Sequence, residues 1–195
     1  MAEPWVLDRL LRTDAEAMLA IFNHYVLHSF AAYLEEPVSV EWMERLLDEA
    51  SGLPAIAVRD PDGRLIGFSL LRPYMARTAF PRTAQITTFL APEHTGRGLG
   101  SRLLARLEDA ARTAGIDTIL AHVSSENSGS LTFHRRHGFA ECGRFREIGI
   151  KNGRRFDVVW FQKRLQAAPL VSLFPDVIEC RACACPGREA PVSSV

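Results

Sequence analysis

Two spacings of apolar side chains divide this chain into strands and helices. Leu103, Leu107 and Ala111 recur at intervals of four, so they share one face of a helix predicted over 98–113. The short apolar runs on either side of this helix, 83–90 and 117–123, predict strands. The pattern therefore places a strand, a turn, a helix and a second strand in direct succession.

Cap and turn signals mark the other element boundaries. Residues 13–16 have the sequence of a capping box and start a helix that ends near His28, and Ser39 starts a second helix. Asn152 and Gly153 predict a tight hairpin. The remaining predicted elements are strands at 5–11, 54–58, 65–73, 139–150 and 154–165 and a helix at 127–137.

The composition fits one domain that acts on small molecules. The chain has 195 residues, of which 47% are hydrophobic, enough for a sizeable core. Lysine and arginine together number 23, as do aspartate and glutamate, so there is no basic excess for nucleic acid or a membrane surface. No segment has a signal-peptide pattern or the ~18 apolar residues of a membrane span. We therefore expect a cytoplasmic protein without nucleic acid or membrane partners.

The cysteines indicate a reducing compartment and no metal site. Cys142 is the one cysteine in the body of the chain, so no disulfide framework is implied. Cys180, Cys183 and Cys185 provide three thiols, but zinc takes four ligands and no histidine follows them. The Pro, Ala and Ser around them are typical of an unpacked tail. We expect the tail, 167–195, to be loosely docked or disordered, with exposed thiols.

Three glycines follow the predicted strand at 83–90 and open the predicted helix at 98–113. Gly96, Gly98 and Gly100 lack Cβ atoms, so the backbone can turn tightly and aim successive N–H groups at an anion, with the positive end of the helix behind them. A diphosphate fits such a site. The loop is neither a Walker A sequence, which needs a lysine, nor a dinucleotide fingerprint, whose third glycine position falls here on Ser101 or Leu103.

This loop resembles the pyrophosphate loop of the GNAT superfamily of acyl-CoA-dependent acyltransferases. The superfamily pattern is Gln/Arg-x-x-Gly-x-Gly/Ala, and residues 95–100 read Thr-Gly-Arg-Gly-Leu-Gly. Thr95 departs from the pattern, but the backbone amides are unchanged. Residues 127–139 match a second superfamily motif, Asn-x-x-Ser/Ala-x-x-Leu/Phe-Tyr/His-x-x-x-Gly-Phe. Two motifs in the right order argue against a chance match.

Within the superfamily the chain is similar to the phosphinothricin and methionine sulfoximine N-acetyltransferases, which acetylate the α-amine of small glutamate or methionine analogues. The similarity is collinear over about 5–165 and includes 23–25, Glu36 and Asp157. It implies an α/β protein with the GNAT fold, a mixed, mostly antiparallel twisted sheet flanked by helices on both faces, formed by a domain over 1–166. Members of this fold often dimerise, so a homodimer is one expected state.

The resemblance implies transfer of an acetyl group from acetyl-CoA to a small amine. Backbone amides at a bulged end of the strand at 83–90 would bind the thioester oxygen and the pantetheine arm. His134 stands where the superfamily most often has a tyrosine as general acid, and its reference pKa of ~6.5 suits proton donation to a thiolate. Asn127 can also be simply the N-cap of its helix. The expected cofactor-binding residues are Phe89, Leu90, Thr95, Gly96, Arg97, Gly98, Leu99, Gly100, Ser101, Asn127, Ser130 and His134.

The general base of the resembling enzymes is missing. Gln85 stands where they carry a glutamate, and an amide cannot accept a proton at working pH. Glu35 or Glu36 could take over, the amine could lose its proton to solvent through water, or catalysis could be lost, and His24 is a further candidate. We take His134, Gln85 and Glu36 as the catalytic set.

The positions expected to face the substrate also differ from those of the phosphinothricin enzymes. Leu34 and Met75 stand where the phosphinothricin enzymes carry basic residues, and Arg82 where they carry an aromatic one. Loss of cations favours a less acidic or more hydrophobic amine. Three functions stay open, namely a small-amine N-acetyltransferase, a non-catalytic acyl-CoA-binding module without a base, and an acetyltransferase of protein amines. The expected substrate contacts are Tyr33, Tyr74, Arg77 and Gln85.

Overall fold

A computed structural model describes residues 5–75 and 79–165, which form seven strands and four helices. The strands are β1 (Val6–Arg9), β2 (Ala55–Arg59), β3 (Leu65–Pro73), β4 (Thr83–Leu90), β5 (Thr118–Ser124), β6 (Ala140–Lys151) and β7 (Arg154–Arg164). The helices are α1 (Ala15–His28), α2 (Val40–Glu49), α3 (Leu99–Thr113) and α4 (Ser128–Arg136), with 3-10 turns at Arg12–Asp14 and Pro92–His94.

The strands form one sheet in the order β1-β2-β3-β4-β5-β7-β6. The pair β4–β5 is parallel and every other neighbouring pair is antiparallel, which confirms the mixed, mostly antiparallel sheet. The register of β3 with β4 runs without a shift from the pair Pro73 and Ala84 to the pair Gly67 and Leu90. The prediction of a bulge at the end of β4 is therefore wrong, because the antiparallel pairing of β4 with β3 continues in register as far as Leu90.

The sheet opens between β4 and β5. Among the described residues, their parallel pairing covers three residue pairs and ends where Gln85 lies beside Leu120. Beyond that point β5 continues to pair with β7 as far as Ser124, while β4 continues beside β3. A gap therefore separates residues 86–90 from 121–124, and it replaces the predicted bulge as the source of backbone groups that face away from the ladder.

Helices cover both faces of the sheet, as predicted. On one face, α3 and α4 pack on a core that includes Leu103, Leu107 and Phe161, each fully buried. On the other face, α1 and α2 enclose a second core that includes Met18 and Phe68. Because side chains alternate along a strand, neighbouring residues of one strand contribute to opposite cores.

The start of α1 differs from the predicted capping box. Thr13 lies inside a 3-10 turn, and Asp14 is the N-cap residue, without a side-chain hydrogen bond to the helix. The Asp14 carboxylate instead accepts the N–H of Leu11 at 2.8 Å and pairs with the guanidinium of Arg59 at 2.9 and 3.0 Å. The predicted cap at Thr13 is wrong because the 3-10 turn includes Thr13 and α1 begins only after Asp14. Ser39 precedes α2 as its N-cap residue, as predicted.

A buried lysine ties the end of β6 to the end of α1. Lys151 is 1% exposed, and its ammonium donates to three carbonyl oxygens, those of Val26 (2.6 Å), Ser29 (2.7 Å) and Ala32 (2.8 Å). The last carbonyls of a helix have no intrahelical donor, which makes them good acceptors for a cation. The next residue, Asn152, donates its N–H to the Glu35 carboxylate at 2.5 Å. The β6–β7 hairpin therefore fixes the segment 26–35.

Three predictions concern residues outside the described ranges or depend on them. Arg77, the three tail cysteines and the tail 167–195 all lie outside, so the division into a domain over 1–166 and a loosely attached tail stays a prediction.

Within 5–75 and 79–165, none of the helices is long and apolar enough to cross a membrane. Over the same ranges, no cluster of three His, Cys, Asp or Glu side chains could hold a metal ion.

Candidate active site

Backbone groups of β4 face the gap between β4 and β5. Ala91 donates its N–H to the Ile66 carbonyl at 2.8 Å, and pairs in an antiparallel ladder alternate between bonded and non-bonded. Phe89 therefore directs its amide at β3, and Leu90 directs its amide at the gap. The Leu90 carbonyl accepts a hydrogen bond from the Tyr25 hydroxyl at 2.7 Å, which anchors this end of β4 to α1. Of the two expected amides, the geometry offers that of Leu90.

The glycine loop follows the gap and ends in α3. Gly96 and Gly98 have φ values of 72° and 80°, a left-handed conformation that glycine adopts without strain, and Gly98 is the N-cap residue of α3. A Cβ added to either glycine would meet no described atom within 4 Å, so the loop is open to a ligand. The amides of Leu99 and Gly100 open the first helical turn, which has no intrahelical acceptors for them, whereas Ser101 already donates its N–H to the Gly98 carbonyl at 3.1 Å. The loop therefore has a geometry that can hold a diphosphate.

Side chains around the loop have structural partners. Leu99 is 2% exposed, so it can offer a ligand only its backbone. Thr95 closes the preceding 3-10 turn by donating its hydroxyl to a backbone carbonyl at 2.8 Å, and Arg97 is exposed. The Ser101 hydroxyl lies 2.9 Å from Nε2 of His137, which joins the start of α3 to α4. The Thr95 and Ser101 side chains therefore hold the two ends of the loop in place.

The first turn of α4 is capped by its own sequence motif. The Asn127 side-chain oxygen accepts the N–H of Ser130 at 3.0 Å, which confirms the N-cap interpretation of Asn127. Gly100 of α3 lies close to α4, since an added Cβ would stand 3.4 Å from the ring of Phe133. The two motifs that carried the resemblance are thus in contact, and both lie on the α3 side of the sheet.

His134 lies on α4 with one nitrogen committed to the helix. Its Nδ1 is 2.8 Å from the Ser130 carbonyl oxygen, to which it donates, so Nε2 is the nitrogen left for chemistry. The ring stacks on Phe161 at 5.5 Å and meets the edge of Phe139 at 5.0 Å. Burial lowers the pKa of His134, against the opposing effect of the bond to Ser130. The imidazole is therefore neutral at neutral pH.

A cavity of about 360 Å³ lies on the opposite face of the sheet from His134. Gln85 is on the same face of β4 as Phe89, which packs against the α1 core, whereas His134 packs on Phe161 of the other core. The open gap between β4 and β5 connects the two faces. The cavity is lined by Tyr33, Gln85, His122, Phe145, Ile148, Val158 and Trp160.

Sequence reasoning missed His122, which faces this cavity from β5. Its Nδ1 lies 3.1 Å from the Tyr33 hydroxyl, and its ring centroid is 5.3 Å from those of Tyr33 and Trp160. Burial, with a smaller effect of Arg72, lowers the pKa of His122, and burial raises the pKa of Tyr33. No motif includes His122, but it alternates with buried Ala121 in a strand, a pattern that could have placed it on the other face.

The other predicted residues differ in how close they come to the cavity. Tyr74 stands beside it, with its ring edge-on to Trp160 at 6.4 Å. Glu36 is exposed and is not among the lining residues, and Glu35 is bound to the hairpin tip. His24, a candidate base, is exposed on α1, contacts His28 and is not among the lining residues. The structure therefore brings Tyr33 and Gln85 together, without Glu36.

Two of the substituted positions are also away from the cavity lining. Arg82 forms an ion pair with Asp117 at 2.7 Å at the start of β4. Leu34 is 37% exposed, in the loop that carries Tyr33. Neither side chain is among the described residues that line the cavity, and these lining residues include no lysine or arginine.

Comparison with known proteins identifies the class. The sequence matches the acetyltransferase (GNAT) family over residues 18–139, and the solved structures that resemble the fold belong to the same family. The chain therefore belongs to the acetyltransferase (GNAT) family, and it is an acyltransferase. This confirms the fold expected from the two motifs.

Three individual proteins are similar to this chain over most of its length. The phosphinothricin N-acetyltransferase of Streptomyces coelicolor is 30% identical over 156 residues, which cover 78% of this chain and 91% of that protein. The L-methionine sulfoximine/L-methionine sulfone acetyltransferase of Salmonella typhimurium is 30% identical over 164 residues, 81% of this chain and 94% of that one. The crystal structure of a phosphinothricin acetyltransferase from Sinorhizobium meliloti, in complex with acetyl-CoA, has a TM-score of 0.79 at 27% identity and covers 84% and 89% of the two chains.

Proposed function

We propose that this protein transfers the acetyl group of acetyl-CoA to the primary amine of a small, amino-acid-like molecule. The observation that carries the proposal is the gap between β4 and β5, which leads from the glycine loop of α3 to the cavity beside Gln85. A diphosphate fits the loop, and an extended arm that pairs with strand backbone fits the gap. The acyl group would then meet an amine in the cavity. The relatives named for phosphinothricin and methionine sulfoximine support this class of substrate.

The backbone supplies the binding groups in this proposal. Amides from Gly96 to Gly100 bind the pyrophosphate, with the positive end of α3 behind them. The amide of Leu90 donates to the pantetheine arm or to the thioester oxygen, where negative charge develops as the amine attacks. The Tyr25 hydroxyl holds the Leu90 carbonyl, so the donor on the same residue is fixed before any ligand arrives. Asn127 and Ser130 border the same ligand from α4.

His134 is the proposed proton donor to the departing thiolate, and its hydrogen bond defines how. Because Nδ1–H is held by the Ser130 carbonyl, a proton can be given only from Nε2, and only while the ring is charged. Burial lowers the pKa of His134, so the charged ring is scarce at neutral pH but is a stronger acid when it forms. We expect the contribution of His134 to decrease as the pH rises.

The cavity wall favours an amine with an uncharged, apolar side chain. Phe145, Ile148, Val158 and Trp160 supply apolar surface, and Gln85 and Tyr33 supply neutral polar groups. A phosphinate or carboxylate side chain would lose its hydration there without a cation among the lining residues to replace it. Arg77 stays the predicted partner for the substrate's own carboxylate, and it lies outside the described residues.

The test is release of free thiol from acetyl-CoA by the purified protein, with the acetylated amine identified by mass spectrometry. The amines are L-methionine, L-phenylalanine, methionine sulfoximine, phosphinothricin and spermidine. We expect thiol release with the amino acids, and higher kcat/KM for the apolar side chains than for phosphinothricin. Binding of acetyl-CoA without thiol release on any amine would refute the proposal and favour the non-catalytic binding module.

Two further expectations remain predictions. A homodimer would bury the apolar side chains that β6, at the edge of the sheet, leaves exposed, with Phe145 at 54%, Ile148 at 61% and Ile150 at 54%. Light scattering coupled to size-exclusion chromatography tests it directly. The predicted cytoplasmic location is tested by fractionation of cells that express the protein.

A further inference from the structure

We propose that His122 accepts the proton of the substrate amine, in place of the carboxylate that the resembling enzymes carry at the position of Gln85. The inference rests on the proposed acetyl transfer, which needs a base that Gln85 cannot provide. Three features of the cavity carry it, namely the position of the His122 ring, its hydrogen bond to Tyr33 and the aromatic rings around it.

His122 lies two residues beyond Leu120, the partner of Gln85, and therefore further into the gap. Gln85 lies beside Leu120 in the last registered pair of β4 and β5, and alternate residues of a strand share a face. His122 therefore stands on the same face as Gln85, at the point where the two strands have begun to diverge. Both side chains line the same cavity. A base at 122 can serve an amine that sits between the cavity and the gap.

The proposal assigns the proton of the neutral His122 ring to Nδ1. Burial raises the pKa of Tyr33, so the phenol stays neutral, and its oxygen can accept a hydrogen bond. In this tautomer Nδ1–H donates to the Tyr33 oxygen, 3.1 Å away, and the lone pair is on Nε2. Tyr33 is then a positioning residue, since it orients the ring without touching the substrate proton.

The surroundings of His122 keep the ring neutral until it is used. Burial lowers its pKa, and the positive charge of Arg72 on β3 acts in the same direction, although Arg72 is itself paired with Glu49 at 2.7 Å. Once the ring is protonated, the faces of Tyr33 and Trp160, both 5.3 Å away, stabilise the cation. His122 is thus free to accept a proton at neutral pH and is not held in the charged state.

The protons balance through this route. The substrate ammonium loses two protons on becoming a secondary amide. As the N–C bond forms and the C–S bond breaks, the departing thiolate takes one proton, and the other passes through Nε2 of His122 to solvent. No oxidant, reductant or metal is required, and the products are the amide, the free thiol and one proton.

The experiment compares the native protein with His122→Gln in the thiol-release assay, with L-methionine as the amine, across pH. We expect kcat/KM to fall by about 10²-fold or more in the variant, the usual contribution of a general base, while the affinity for acetyl-CoA is unchanged in calorimetry. In the native protein, the ascending limb of the kcat/KM profile should have an inflection below 6.5, the ordinary value for histidine, and His122→Gln should lose that limb while the descending limb assigned to His134 remains. Nitrogen-15 NMR of the histidine rings should assign the same pKa to His122.

Controls separate this inference from the proposed function. His28→Gln changes an exposed histidine of α1 away from the cavity and should leave the rate and the inflection unaltered. Tyr33→Phe keeps the ring but removes the acceptor, so it should move the inflection and lower kcat more than it raises KM. Gln85→Glu in the His122→Gln background should restore turnover. If the native protein turns over L-methionine and His122→Gln keeps both the rate and the pH profile, His122 is not the base, whereas no turnover of any amine by the native protein overturns the acetyl transfer itself.

Discussion

Replacement of Lys151 by methionine is expected to destabilise the protein while leaving its shape intact. Methionine fills a similar volume but donates nothing, so the three carbonyl oxygens of Val26, Ser29 and Ala32 lose their shared donor. Each buried acceptor left without a partner costs about 1 kcal/mol or more. The release of a desolvated charge offsets part of that sum. We therefore expect a loss of about 3 kcal/mol in the free energy of unfolding.

The assay is equilibrium unfolding in urea, followed by fluorescence and circular dichroism. For a protein of this size, about 3 kcal/mol corresponds to a decrease in Tm of roughly 6 to 12 °C. Arg45→Met is the matched control, because Arg45 is an exposed cation on α2 and its loss should change stability by about 0.5 kcal/mol or less. A Lys151→Met protein as stable as this control would show that water satisfies the three carbonyls and that the argument is wrong.

Three more predictions concern the site. Gly98→Ala forces a side chain into a φ of 80°, which should cost about 1 kcal/mol in stability and weaken acetyl-CoA binding by about tenfold in calorimetry. Gly143→Ala, with open space around the added Cβ, should change neither quantity. Equal acetyl-CoA affinities of the two variants would contradict this account of the loop. His134→Phe preserves the stacking on Phe161 and should lower kcat about tenfold or more without changing acetyl-CoA affinity, and an unaltered kcat would remove His134 from the mechanism. Because the pKa values of His122 and His134 are lowered on folding, the unfolded chain binds more protons below pH 6.5, so stability is fully present above that pH and is lost as the pH falls. Urea midpoints at a series of pH values should show this slope, and His134→Phe should reduce it.

Local signals predicted the elements well where turns are short. The bounds of β3 and β4 agree with the prediction. A Gly-containing turn precedes β3, Pro73 is its last residue, and Asn152 with Gly153 fixes the last hairpin. The glycine loop and the cap at Asn127 were equally readable, since both depend on backbone chemistry within a few residues. These parts of the site could be predicted from the sequence.

The rest depends on which strands become neighbours. The gap arises because β5 pairs along its length with β7, a strand some forty residues further along the chain, and leaves β4 after three pairs. Asp14 is the N-cap residue in place of the predicted Thr13, and its carboxylate pairs with Arg59, 45 residues further along the chain. His122 has no motif, and its hydrogen bond to Tyr33 spans 89 residues. Such contacts are set by the tertiary fold and leave no local pattern.

The short pairing of β4 with β5 also divides the sheet into two units that are joined by three residue pairs. One unit carries β1 to β4, and the other carries β5 to β7. Two hydrogen-bonded contacts connect these units beside the gap, that of Lys151 with the end of α1 and that of His122 with Tyr33. A ligand that pairs with both edges of the gap would connect the units further. Amide hydrogen exchange should then slow in β4 and β5 together when acetyl-CoA is added, and it should slow less in a protein in which Lys151 and His122 are replaced.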